Sequence, residues 1–314
     1  MGTRETYLKI AEAFQKKDEV TIETVLEGNR AGEKRILTDE ERRQIPGQDV
    51  YRETLYGRSK AVICGGGHVS LALVQLLRML DFSVTVIDER EEFANRERFP
   101  QADAVYCMDF SRCLEKEEFG DHSYYIIVTR GHKDDYRCLT KILGRKQDYI
   151  GMIGSRKKVA MSFERLRGEG WSEEEIRRIH APVGLAIGAE TPAEIAVSIA
   201  AQIIEEKNKY PRKILEESVI QGLNDSEAAV MVTVIEKSGS SPRGEGTRMV
   251  VKRDGSIYGT IGGGPVEYAA VREARDFGKE GRFAIKEYDL SNSSAATLGM
   301  VCGGRVKVMF EALE

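Results

Sequence analysis

The chain has 314 residues, 41% of them hydrophobic and 31% charged, with a formal net charge of −4. That balance describes a soluble globular protein of two domains, with room for a small third lobe. It lacks the Lys/Arg block of a nucleic-acid footprint, and its longest apolar runs, 124–129 and 182–187, fall far short of the ~20 residues a membrane helix requires. Five cysteines (Cys64, Cys107, Cys113, Cys138 and Cys302) show neither CxxC spacing nor a disulfide-rich pattern. The expectation is free thiols in a reducing, cytoplasmic compartment.

Residues 1–58 open with MGTRETYLKIAEAF, an amphipathic helix and not a signal peptide. The alternating strand EVTIETVLEG, a charged turn-rich stretch and the short strand VYRETLYGR follow. From Ala61 a strand–helix rhythm sets in. Its strands are AVICG, SVTVID, ADAVY, YYIIVT, YIGMIG and VGLAIG. Its helices are HVSLALVQLLRML, 134–143, 156–168 and 192–207. Strands bounded by glycine and alternating with helices imply a Rossmann-like, doubly wound parallel sheet over 59–210. Over 211–314 the strands AAVMVTVIE, RMVVK, SIYGTI, FAIKEY and RVKVMF with one helix, 266–277, imply a smaller, mostly antiparallel α+β domain. The segment 19–40 also resembles 229–255, as a worn and shortened copy of a hairpin; chance likeness of two hairpins is the alternative.

Four motifs bear on chemistry. In CGGGHVS, Gly65 and Gly67 suit the tight turn and the close approach of a pyrophosphate, and His68 opens a helix whose free N–H groups face the phosphates. Asp88, closing the next strand, would bond an adenosine ribose and favours NAD over NADP. Ser70 holds the third fingerprint position, where a side chain should push the helix off the sheet and weaken binding. A domain that keeps the turn and binds nothing is the alternative. In RGHKDD, His132 suits acid/base or metal chemistry, while Asp134 suits a helix cap. His68, His122 and His180 are too dispersed for a metal cluster. In GMIGSRKK, Ser155 is the N-cap and three cations oppose the helix dipole, so an anionic ligand, a facing acidic surface or plain solvation must compensate. In the last domain, Ser241 and Arg243 of GSSPRG, Gly262, Gly263, Gly264 and Glu267 of GTIGGGPVE, and Cys302 of CGG offer amide donors, a guanidinium, a carboxylate and an accessible thiolate, the last a soft metal ligand. Three ordinary β-turns would show the same glycines.

These segments, together with VIDER and APVGLAIGAETPAEIAVSIAAQII, resemble the XdhC/CoxI family, the maturation factors of molybdenum hydroxylases, over roughly 59–314. The resemblance implies a carrier more than a catalyst. Such a carrier binds the molybdenum–pterin cofactor (molybdopterin, as mononucleotide or dinucleotide) and supports its sulfuration with a cysteine desulfurase. It then delivers the cofactor to the apoenzyme of a xanthine or carbon monoxide dehydrogenase. It also implies a homodimer and, on Cys302, a contact to the metal. Two departures stand out: Ser70, and a domain order in which the GSSPRG/CGG part follows the α/β part. A reduced copy without those motifs occupies the usual leading place, so residues 1–58 are expected to be structural. The rival readings are an NAD-dependent oxidoreductase, with His132 as its base, and a scaffold that binds only protein partners.

Overall fold

The computed structural model describes residues 2–14, 16–239, 243–280, 283–289 and 304–313. The chain forms two compact units, Arg58–Pro211 and the pair Met1–Gly57 with Arg212–Glu314. In chain order the first stretch supplies α1 (Thr3–Ala13), β1 (Glu19–Val25), β2 (Lys34–Ile36), α2 (Asp39–Arg42) and β3 (Val50–Tyr56). Next come β4 (Lys60–Cys64), α3 (His68–Met79), β5 (Ser83–Asp88), β6 (Ala104–Cys107), α4 (Phe110–Lys116), β7 (Ser123–Ile127) and α5 (His132–Leu143). That unit ends with β8 (Tyr149–Met152), α6 (Arg156–Gly168), α7 (Glu173–Arg177), β9 (Ile179–His180) and α8 (Pro192–Lys209). The remainder is β10 (Lys213–Ile214), α9 (Glu217–Asn224), β11 (Ala228–Gly239), β12 (Arg248–Lys252), β13 (Ile257–Gly259), α10 (Gly264–Glu280), β14 (Phe283–Asp289) and β15 (Gly304–Ala312).

In the unit Arg58–Pro211 the strands lie in the order β6-β5-β4-β7-β8-β9, every neighbour parallel. This is the doubly wound order that the alternating sequence implies, and its topological switch point falls between β4 and β7. Because both faces are covered, the strands read as apolar runs. Val62, Cys64, Tyr125 and Ile127 face one core with α4 and α5, and Ala61, Ile63, Tyr124 and Ile126 face the other with α3 and α8. One expectation needs correcting: VGLAIG is not a strand, and the sixth strand is the two-residue β9 just before it. Gly184 and Gly188 take φ +97° and +75°, outside the extended region, and Gly184 lies against Ser198 of α8 so closely that a Cβ would collide with its hydroxyl.

The other unit holds a five-stranded sheet, β13-β12-β11-β15-β14, antiparallel throughout, and a four-stranded sheet, β10-β3-β1-β2. Period-2 alternation explains how the longer sheet is covered on both faces. Val230, Val232 and Val234 of β11 pack with Val266, Ala270 and Ala274 of α10. Met231, one residue out of phase, packs with Tyr7 and Ile10 of α1, Val20 and Ile22 of β1 and Leu223 of α9. Residues 1–57 therefore cover the second face of a sheet drawn from the end of the chain. The two segments that resemble each other in sequence both contain antiparallel strand pairs, β1–β2 and β11–β12.

Candidate functional site

The carboxyl ends of β4 and β7 flank the switch point, where open α/β sheets place their ligands. Gly65 has φ +117°, and a Cβ there would collide with the Val128 carbonyl; a Cβ on Gly66 would collide with that of Phe93. Gly67 faces open space. The backbone thus turns sharply and presents the start of α3 to solvent. Ser70 is fully buried, and its hydroxyl donates to the Gly65 carbonyl at 2.5 Å, tying the helix to the turn. The structure gives the Ser70 side chain an inward role and a partner.

Helix starts in this unit divide into two kinds. Asp109 of α4, Ser155 of α6, Ser172 of α7 and Thr191 of α8 each accept a backbone N–H with the side chain. The two helices at the switch point do not follow them. Gly67 caps α3 and Gly131 caps α5, neither with a side-chain bond. Helix starts leave N–H groups without intrahelical partners. The first amides of α3 and α5, on either side of the switch point, lack a side-chain cap, and in α5 the Asp134 N–H turns to the Gly131 carbonyl at 3.0 Å. A Cβ at Gly131 would also meet nothing. Serine, threonine or aspartate ahead of four helices and glycine ahead of these two is a pattern legible in the sequence, but there His132 draws attention ahead of Gly131.

Beside the turn, the Asp88 carboxylate is committed to the protein. It is 1% exposed; Oδ2 accepts the Gly66 N–H and Arg90 Nη2, both at 2.8 Å, and Oδ1 accepts Arg90 N at 3.1 Å and Nε at 2.9 Å. Burial alone would raise the Asp88 carboxyl, but the bonds from Arg90 and Gly66 outweigh it and hold the group below the usual carboxylate range. Arg90 lies 3.8 Å over the Phe93 ring, and Arg98 Nε donates to the Gly66 carbonyl at 3.0 Å. Arg98 Nη2 is buried without a partner among the described residues. Arg90, Phe93 and Arg98, which sequence reasoning missed, gather beside the glycine turn and Asp88. Asp88 was expected to meet a ribose; here four donors already fill its lone pairs.

The glycine turn before α10 behaves in a related way. Gly262, Gly263 and Gly264 all have positive φ (+123°, +71° and +68°), which leaves the turn open to backbone approach. Glu267 closes part of it from within: its Oε2 accepts Thr260 Oγ1 at 2.5 Å, Ile261 N at 3.0 Å and Gly263 N at 3.2 Å. The loop therefore has its own carboxylate as occupant, and a phosphate at these amides would have to displace it. Arg243 is exposed and paired with Glu216 at 2.7 Å. Ser241 and Cys302 lie outside the described residues, and with them the candidate thiolate and metal contact. Among the described residues no group of three or more His, Cys, Asp or Glu could hold a metal ion. Cys64, Cys113 and Cys138 are buried, and burial pushes the Cys113 thiol up to about 12. Cys107 is exposed. No helix among the described residues is long and apolar enough to cross a membrane.

Comparison with known proteins bears on the same segments. A family model described as the XdhC Rossmann domain matches residues 61–203, and one described as the XdhC and CoxI family matches residues 223–289. A protein of Escherichia coli (strain K12) called "Uncharacterized protein YqeB" is 36% identical over 155 residues, covering 49% of this chain and 28% of that protein. A probable xanthine dehydrogenase subunit of Bacillus subtilis (strain 168) is 27% identical over 161 residues, 51% of this chain and 47% of that protein. The "Molybdenum cofactor insertion chaperone PaoD" of Escherichia coli (strain K12) is 33% identical over 95 residues, 30% of each. The matches thus span less than half the length of each of these relatives. A crystal structure described as a xanthine dehydrogenase from Bacillus halodurans superposes with a TM-score of 0.57 at 22% identity, covering 67% of this chain and 68% of that one, which is a likeness of fold.

Proposed function

This chain belongs to the XdhC and CoxI family, and on that premise we propose that it is a maturation factor for a molybdenum hydroxylase. In this reading it holds the molybdenum–pterin cofactor by its phosphates, supports sulfuration of the metal and passes the cofactor to the apoenzyme. The observation that carries the reading is the pair of uncapped helix starts, α3 and α5, on either side of the switch point. The name of one relative, a molybdenum cofactor insertion chaperone, points the same way.

The residues present fit the phosphate end of such a group. Gly67 and Gly131 leave space, the amides that open α3 and α5 lack side-chain partners, and Arg98 keeps a buried donor unused beside the turn. When bound, the cofactor supplies a metal that favours sulfur ligands and an anionic phosphate or diphosphate. Cys302 enters the proposal as the thiolate facing that metal, and Ser241 and Arg243 as further phosphate contacts. Glu267 enters as the internal carboxylate that occupies the Gly262–Gly264 turn and yields its amides to a phosphate. A cysteine desulfurase and the apo-hydroxylase are the proposed partners, with a homodimer in the cytoplasm as the working assembly. The fit is poor for NAD held through its ribose, because the Asp88 carboxylate is buried and fully used.

A single change at either helix start tests this. Gly67 has φ −73° and ψ −169°, and Gly131 has φ −146° and ψ 143°, conformations that an aspartate cap adopts. Gly67→Asp or Gly131→Asp should raise stability by a few tenths of a kcal/mol, the margin of an aspartate over a glycine N-cap, while the new carboxylate takes the amides that the phosphate needs. The expected outcome is a higher Tm together with a several-fold fall in molybdenum per chain after expression in a molybdenum-replete host. Unchanged molybdenum in both variants refutes the reading.

A further inference from the structure

The two sides of the switch point differ in how their charges are used. Toward β5, Arg90 pairs with Asp88 and lies over the Phe93 ring. Toward β8, five cations stand exposed: Arg130 and Lys133 in and beyond the turn after β7, and Arg156, Lys157 and Lys158 after β8. None of the five has an acidic partner among the described residues. The contrast with their neighbours is local. Farther along the same helices, Arg137 pairs with Asp109 at 2.7 Å and Arg165 with Glu169 at 3.0 Å. β7 and β8 are adjacent, with Ile127 opposite Met152, so the two loops start about 5 Å apart.

Three cations in the first turn of α6 oppose its dipole, and the Ser155 cap, which accepts the Lys158 N–H at 3.4 Å, does not offset their charge. A sequence that breaks a local rule without compensation in the fold is expected where function compensates. We infer that these five side chains are the counter-charge for a small molecule bearing linked phosphates, which lies from the α3 and α5 helix starts out over the β7 and β8 loops. The inference rests on the cofactor reading for its crevice and adds to it the direction in which the phosphate end runs.

The test is calorimetric titration of the full chain with inorganic pyrophosphate. Four proteins are compared: the unaltered chain, R156Q/K157Q/K158Q, G67D, and R112Q/K116Q/R177Q as a control of equal charge loss on α4 and α7. The α6 variant should bind at least about tenfold more weakly, as loss of charge-assisted contacts implies, with its Tm unchanged or raised because the dipole conflict is gone. The control should bind as the unaltered chain does. Equal weakening in the α6 variant and the control overturns the inference, as does absence of pyrophosphate binding by the unaltered chain. It is overturned too if the α6 variant keeps pyrophosphate binding, including the case in which it only loses retention on an immobilised molybdenum hydroxylase, which would mark a protein-docking patch. If G67D abolishes binding and the α6 variant does not, this inference alone fails. If the α6 variant weakens pyrophosphate binding while molybdenum content is unchanged in both G67D and G131D, the cofactor reading fails instead.

Discussion

In the unit Arg58–Pro211 both cores are built of apolar side chains, and the buried carboxylates Asp88 and Asp135 sit beside the glycine turn and at the start of α5. In the other unit, charges lie in the middle of the packing. Lys34 and Glu311 pair at 2.7 Å with both side chains 1% exposed, and Arg248 pairs with an equally buried Glu53. The pairs run between the two sheets, since Lys34 and Glu53 belong to β2 and β3 while Arg248 and Glu311 belong to β12 and β15. Thr233 Oγ1 and Arg248 Nε are buried nearby with no partner among the described residues. An apolar interior gains stability from area alone. An interior of paired charges gains little net stability but fixes which side chain must meet which. The comparison suggests that residues 1–57 are held on the longer sheet in one register by charge matching.

Breaking one of those pairs should have the largest effect. Arg248→Met leaves Glu53 charged and buried, and should lower the unfolding free energy by about 3–5 kcal/mol. Adding Glu53→Leu should recover most of the loss, because desolvation is then avoided for both partners. Urea denaturation followed by circular dichroism measures both steps. A single-variant loss below about 1 kcal/mol would mean that the site is wetter than it looks, and that area accounts for both units alike.

Gly66→Ala probes the other unit at its tightest backbone contact. The new methyl would run into the Phe93 carbonyl, which cannot move without the turn around it. A loss of about 3 kcal/mol is expected, against about 1 kcal/mol or less for Gly67→Ala, a poorer N-cap whose Cβ nonetheless meets open space. Equal losses at the two positions would show that conformational freedom, and not space, made them glycine.

Asp88→Asn should cost about 2 kcal/mol, since it replaces charge-assisted bonds to Arg90 by neutral ones. The folded pKa of Asp88 lies below its unfolded value, so its contribution is in place above ~3.9 and is lost as pH falls through the folded value. The stability gap between the native chain and the variant should therefore be flat at neutral pH and close on acidification. A gap that stays constant into strong acid would assign the loss to packing.

The strand–helix rhythm, the doubly wound sheet and the glycine turn were legible because each depends on short-range pattern: apolar runs, breakers and caps within a few residues. The buried ion pairs were not. Lys34 and Glu53 each sit beside a second charge, Arg35 and Arg52, in short strands, and Arg248 and Glu311 lie at strand ends, where a charge ordinarily reads as solvent-facing. Only the other sheet, drawn from the far end of the chain, shows that each of these charges meets an opposite charge among apolar neighbours. The commitments of Asp88 and Glu267 were hidden for a similar reason. Residue type says that a carboxylate is near a ligand-sized turn, and only geometry says that Arg90 or the turn's own amides already hold it.

Ser70→Ala is the smallest change and the one that bears most directly on how the glycine turn should be read. A hydroxymethyl at the third fingerprint position invites the inference that the helix stands off the sheet and anions bind less well. In the fold the side chain is fully buried and its hydroxyl bonds the Gly65 carbonyl, away from the open space at Gly67. Alanine should then cost about 1 kcal/mol for one lost buried hydrogen bond, with pyrophosphate affinity unaltered, because the amides that open α3 stay where they are. If affinity instead rises while stability holds, Ser70 does strain the turn, and the inward bond is incidental to the position of the helix.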